Sequence, residues 1–140
     1  MARTLLCEIV TPERILYTNE VEMVIAPTIE GEIGILPLHA PLVTILAAGE
    51  LRVRYNDNKD VEWFAVSGGY LQVNEDKVIV LADRAAISSQ IDVDRAAEAK
   101  VVLEGRMAEL RKSSDAAACE QCEGDLKWYE AQLTAAKHRP

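Results

Sequence analysis

Aromatic side chains are scarce in this chain: one Phe, two Trp and four Tyr make up 5% of its 140 residues. So few rings exclude a base-stacking platform, and a core must be built from Val, Ile, Leu and Ala. Positive charge is in deficit as well. Fifteen Lys and Arg stand against 23 Asp and Glu, giving a formal net charge of −8 and a pI of about 4.8, which removes the electrostatic basis for holding a phosphate backbone. Nucleic acid is therefore not an expected partner. Long apolar runs are missing too. In Met1-Ala2-Arg3-Thr4-Leu5-Leu6-Cys7-Glu8 the acidic Glu8 cuts short the apolar centre that an export signal needs. The longest uncharged stretch, Ile33 to Gly49, carries Pro37, His39 and Pro41, which do not suit a spanning helix. No transmembrane segment of its own is expected. Three cysteines, an odd number without an export signal, point to reduced thiols rather than a disulfide framework.

What is present, 49% hydrophobic and 27% charged residues, is the composition of an ordinary globular chain. Two grammars divide it. Up to about residue 87 apolar residues recur in period two. Val21, Met23 and Ile25 alternate with Glu20, Glu22 and Val24, and Leu51, Val53 and Tyr55 alternate with Glu50, Arg52 and Arg54. Asn56-Asp57-Asn58-Lys59-Asp60 and Asn74-Glu75-Asp76 read as hairpin loops, and Gly31, Gly34 and Gly68-Gly69 as bulges or close approaches. About eight to ten short strands at such spacing predict an antiparallel β-sandwich or flattened barrel over residues 1–87.

From residue 88 the period becomes 3.6 and predicts an antiparallel two-helix hairpin over 88–140, making the fold α+β in two parts. Asp92 reads as the first helix's N-cap and Ser113 or Ser114 as the second's, with Lys137, His138 and Arg139 suiting its last turn. The seam runs through Ala96, Ala99, Leu103, Met107 and Leu110 on one helix and Cys119, Cys122, Leu126, Tyr129, Leu133 and Ala136 on the other. A fold near residue 114 pairs Leu110 with Cys119, Met107 with Cys122, Leu103 with Leu126 and Ala96 with Leu133, and sets Gly105 level with Gly124. Residues 1–88 hold 7 basic and 13 acidic residues, and 89–140 hold 8 and 10, so the acidic excess belongs to the strands.

No phosphate loop, dinucleotide fingerprint, zinc-protease helix or nucleophile elbow occurs. A Ser67 and His39 pair has no nucleophile turn to support it. Cys119-Glu120-Gln121-Cys122 fits thiol exchange or half of a metal site, which makes a thiol-redox or metal-binding protein the alternative class; on the seam, the same thiols serve as small apolar fillers. A stand-alone ligand-binding sandwich is a third class. The run Gly31-Glu32-Ile33-Gly34-Ile35-Leu36-Pro37-Leu38-His39-Ala40-Pro41-Leu42-Val43 reads either as a rigid corner or as a docking loop flanked by Glu30 and Glu32.

In order and spacing, several stretches resemble the epsilon subunit of bacterial F-type ATP synthases. They are Val10-Thr11-Pro12, the 31–42 run just quoted, Gly49-Glu50-Leu51, Ser67-Gly68-Gly69-Tyr70, Val78-Ile79-Val80-Leu81-Ala82 and Ile91-Asp92-Val93-Asp94-Arg95-Ala96. The resemblance implies a noncatalytic rotor subunit on the cytoplasmic face of the bacterial membrane. There a β-sandwich joins the gamma subunit to the proton-driven ring of c subunits, and the helical hairpin regulates ATP hydrolysis by extending into the alpha/beta head. It makes Glu30, Gly31, Glu32, Ile33, His39, Ala40 and Pro41 candidates for docking gamma and the c ring. It requires no cofactor, and implies Ile91, Asp92, Arg95 and Ala96 as a site for regulatory ATP. From the residues alone, Asp92 is equally a helix cap and Arg95 a solvated side chain, and Val102 stands where ATP-binding members carry a basic residue. The second helix nets −1, from Glu120, Glu123, Asp125 and Glu130 against Lys127, Lys137 and Arg139, which implies weak inhibition through the head, or contacts of Trp128 and Tyr129 instead.

Overall fold

A computed structural model describes residues 3–138. Eight strands form first: β1 (Leu5–Val10), β2 (Ile15–Val21), β3 (Met23–Thr28), β4 (Gly31–Ile35), β5 (Leu42–Ile45), β6 (Gly49–Tyr55), β7 (Asp60–Asn74) and β8 (Lys77–Ile87). After a 3-10 turn at Ser88–Gln90 come helices α1 (Val93–Leu110) and α2 (Ala116–Ala136). The strand order is β2-β1-β8-β7-β6-β3-β4, with β5 added on β7. The ladders are antiparallel except for β1 on β8, which is parallel. This is the expected sandwich and hairpin.

The core is aliphatic, as the shortage of rings demands. Leu5, Cys7 and Ile9 of β1 meet Val78 and Val80 of β8, Leu71 and Val73 of β7, and, from the opposite layer, Leu51, Val53, Phe64 and Val66. Tyr17 packs edge-on against Phe64 with centroids 4.9 Å apart. The two expected turns are left-handed: Asn56, Asp57 and Asn58 have φ of 56°, 57° and 63°, and Glu75 and Asp76 have 49° and 58°. Asn and Asp tolerate that region best because their short side chains bond locally.

The 15-residue β7 serves both layers. Its first half pairs with β6 and its second with β5. Core positions are Phe64 and Val66, then Leu71 and Val73, so the alternation slips by one across Gly68-Gly69; in β8 it slips likewise between Ala82 and Ala85. Gly68 and Gly69 have φ of 71° and 107°, and a Cβ on Gly69 collides with the backbone of Leu81 and Ala82. Here the paired strands turn the corner of the sandwich.

Three expectations are corrected. Residues 20–25 are not one strand: the chain breaks at Glu22 between β2 and β3, and Val24 and Ala26 join Val21 in the core. Asp115, not Ser113 or Ser114, caps α2 by accepting from the Ala118 N–H at 3.1 Å, because the Ser113 hydroxyl is donated to the Leu110 carbonyl ending α1. The hairpin register is shifted by about one turn. Cys119 Sγ contacts Met107 at 3.9 Å and Cys122 Sγ donates to the Leu103 carbonyl at 3.5 Å, so Cys119 does not face Leu110, nor Cys122 Met107. With α1 ending at Leu110 and α2 starting at Ala116, the fold centres earlier than residue 114, and each residue of displacement counts twice in the pairing. Gly105 and Gly124 are correspondingly not a close-packed pair, since a Cβ on either meets open space. At the end of α2, Lys137 is the C-cap and His138 lies beyond it; Arg139 lies outside the described residues.

Candidate functional site

Chemistry first finds little to work with. Ser67 Oγ accepts from Arg84, and His39 Nδ1 lies 2.7 Å from the Ala40 carbonyl, so serine and histidine make no bond to each other. Among the described residues no three His, Cys, Asp or Glu side chains gather as metal ligands. Burial pushes the Cys7 thiol up to about 12, with Glu8 adding to it, so Cys7 is a neutral core residue. Cys122 is buried on the seam and Cys119 half-buried beside Met107.

Surface recognition has better material. At the β3–β4 turn the Thr28 hydroxyl donates to the Gly31 carbonyl at 2.5 Å and accepts from the Glu30 N–H at 3.2 Å. That knot holds Glu30 and Gly31 outward and leaves Ile29 63% exposed. Ile33 packs half-buried against the core, while Glu32 is exposed and pairs with Arg52 at 3.4 Å. His39, Ala40 and Pro41 follow a tight turn whose His39 N–H donates to the Leu36 carbonyl at 3.1 Å. Ile29 is bonded to the end of β5 at Ile45, whereas the 36–41 segment leads into its start at Leu42. The two sequence-predicted docking segments thus sit at opposite ends of β5, about 13 Å apart along the strand.

Outward from the Ile45 end of β5 runs a feature that sequence alone did not indicate. In register across β5, β7, β8, β1 and β2 run Ile45, Tyr70, Leu81, Val10 and Ile15. All point away from the core, and Tyr70 is 56% and Ile15 62% exposed. A row of apolar side chains on the water face of five adjacent strands is the kind of patch that marks a partner. The available signal was two-sided apolarity: Val78-Ile79-Val80-Leu81 and Leu42-Val43-Thr44-Ile45 are not strict alternations, as a sheet buried on both faces requires.

On the other layer the outer face is already covered. Ala131, Ala135 and Ala136 of α2 lie with Trp128 against Ala65, Ala86 and Ile91. Arg84 of β8 bonds Asp125 at 3.0 Å and sits 5.5 Å from the Trp128 ring centroid. His138 stacks on Trp63 at 3.6 Å with an interplanar angle of 8°, and Arg52 lies 5.1 Å from the same Trp63 ring. These contacts clasp the hairpin down. The predicted ATP residues separate here: Ile91 and Ala96 are buried, Asp92 Oδ1 accepts the Arg95 N–H at 3.0 Å as an N-cap, and only Arg95 opens onto a groove. That groove, about 500 Å³, is also lined by Arg84, Glu98, Val102, Asp125 and Tyr129. The seam residues Leu103, Leu110 and Leu126 are half-buried and Met107 is buried.

Comparison with known proteins gives the same outline. Residues 4–88 match the family model described as the beta-sandwich domain of the ATP synthase delta/epsilon chain. The ATP synthase epsilon chain of Dehalococcoides mccartyi is 43% identical over 132 residues, covering 94% of this chain and 91% of that one. That of Desulforamulus reducens is 47% identical over 109 residues, 76% of this chain and 80% of its own. A chain in the Euglena gracilis mitochondrial ATP synthase structure containing OSCP, F1 and the c-ring superposes with a TM-score of 0.78 at 27% identity, covering 96% of this chain and 82% of that one. One from the Tetrahymena thermophila central stalk and c-ring shares the fold, with a TM-score of 0.59 at 12% identity over 94% and 97% of the two chains.

Proposed function

The chain belongs to the ATP synthase delta/epsilon-chain family, and from that premise we propose that it is a noncatalytic rotor subunit in the central stalk of an F-type ATP synthase. It joins gamma to the ring of c subunits at the cytoplasmic face of the membrane, so that proton-driven rotation reaches the catalytic head. No helix among the described residues is long and apolar enough to cross a membrane, so attachment runs through protein contacts. The observation that carries this reading is the exposed Ile45-Tyr70-Leu81-Val10-Ile15 row, an apolar face of the kind a protein partner covers, which we assign to gamma. The β3–β4 turn and the 36–41 segment, at the two ends of β5, are assigned to the ring. A charge planted in the row, Ile45→Asp with Tyr70→Asp, is expected to cut copurification with gamma and the c ring about tenfold while the isolated chain stays folded. Undiminished copurification overturns the assignment.

Regulation by the hairpin follows from the clasp. With the stretch from Ala116 onward netting −1, an extended hairpin offers an acidic partner segment little attraction, and Trp128 and Tyr129 are left as its apolar grip. Removing residues 89–140 should therefore raise ATP hydrolysis by the assembled enzyme less than about twofold; a rise of several-fold contradicts this. Regulatory ATP is a second reading, favoured by the groove at Arg95. Arg84 in that groove is already paired with Asp125, and Glu98 offsets Arg95, so a triphosphate finds no net positive charge. Binding by calorimetry is expected at about millimolar or weaker and to vanish in Arg95→Ala.

A further inference from the structure

Leu38 has φ of 67°. It occupies the third position of the turn Leu36-Pro37-Leu38-His39, closed by the His39 N–H on the Leu36 carbonyl. A proline followed by a left-handed residue is the pattern in which glycine or asparagine belongs, because a Cβ there is strained. A leucine at that place is costly, and its side chain gains no burial in return: Leu38 is 69% exposed. Something must hold the turn, and the structure supplies it from a distant part of the chain. The Leu38 N–H donates to Asp76 Oδ1 at 2.6 Å. Asp76, itself in the left-handed β7–β8 turn, receives Arg3 on Oδ2 at 3.2 Å and the Leu6 N–H on its carbonyl at 2.9 Å. Its side chain is only 29% exposed. One residue thus ties the strained turn to the start of β1, its carboxylate holding Leu38 and Arg3 and its carbonyl holding Leu6.

We infer that Leu38 is an anchoring side chain of the contact with the c ring, and that Asp76 is the positioning residue that holds it there. Strain kept at an exposed apolar tip, with a dedicated clamp, fits a contact made on binding. The inference rests on the rotor-docking reading above.

The test uses full-length chain added back to membranes carrying the ATP synthase depleted of this subunit, reading the half-saturating concentration for restored coupling, together with hydrogen exchange of the Leu38 amide. Asp76→Ala is expected to speed that exchange about tenfold and raise half-saturation about fivefold. Asp76→Asn, which keeps an acceptor oxygen, should stay near wild type. Leu38→Gly relieves the turn and should leave thermal stability unchanged or higher, yet raise half-saturation at least as much. The double variant Asp76→Ala with Leu38→Gly should bind like Leu38→Gly alone, since the carboxylate acts through that side chain. Wild-type binding by Leu38→Gly removes the anchor, and additive losses in the double variant reduce Asp76 to a general structural role. Ile45→Asp, away from the clamp, separates the two levels: if it weakens binding while the Leu38 and Asp76 variants do not, docking stands and this inference falls. If Ile45→Asp leaves binding intact, the docking reading itself fails.

Discussion

Gly69 is the residue on which the sandwich corner depends. Its left-handed φ and the backbone of Leu81 and Ala82 both exclude a Cβ, so Gly69→Ala should cost roughly 3 kcal/mol or more in urea unfolding. The same change at Gly105 or Gly124, where a Cβ meets nothing, should add about 0.5–1 kcal/mol of stability instead. At Cys7 the pH dependence has a definite sign. Its folded thiol is pushed up to about 12 by burial, whereas an unfolded thiol titrates near about 8.5. The stabilisation is complete below that value and drains away as pH rises through it toward 12, so urea midpoints should fall between pH 8 and 11, and Cys7→Ala should flatten the slope. Asp76 has the opposite sign. The Leu38 N–H, and secondarily Arg3, hold its carboxyl below the ordinary range, so its contribution is present above the unfolded carboxylate value and is lost as acid protonates it. Order in the 36–41 segment should decline at pH below about 4, before the sandwich core melts. Native thiol labelling should reach Cys119 first and Cys7 last.

Elements differ in how far they could be read in advance. The period-two runs, the two left-handed hairpin loops and the glycine pair located the strands, because turn chemistry is local to a few residues. The hairpin register was not local. It depended on where α1 stops, and that was decided by whether Ser113 caps α2 or closes α1; its hydroxyl went to Leu110. A Met107→Cys variant should therefore form a disulfide with Cys119 under mild oxidation, whereas Leu110→Cys should not. The apolar row escaped notice for a related reason: its members lie on five strands, and only pairing brings them side by side. The clasp on α2 was equally invisible, since Arg84 and Asp125 are far apart in the chain. Arg84→Ala should loosen it by about 1 kcal/mol, read as faster amide exchange in α2 with the sandwich unchanged.

At the scale of the whole molecule the two apolar clusters are separate: the sandwich core closes without α1 or α2, and the alanine cluster under Trp128 sits outside it. A chain ending at residue 88 should keep one cooperative unfolding transition, with Ala65, Trp63 and Ala86 uncovered and the melting temperature down by only a few degrees. The corner in β7 and β8 then has a mechanical meaning. The same two strands carry Tyr70 and Leu81 on the open face and Ala65, Arg84 and Ala86 beneath the hairpin. A push on the open face is therefore transmitted to the helix seat along two bonded backbones, with no flexible loop in the path. The glycine pair that bends the strands is thus the elbow that joins the open face to the helix seat within one bonded ribbon.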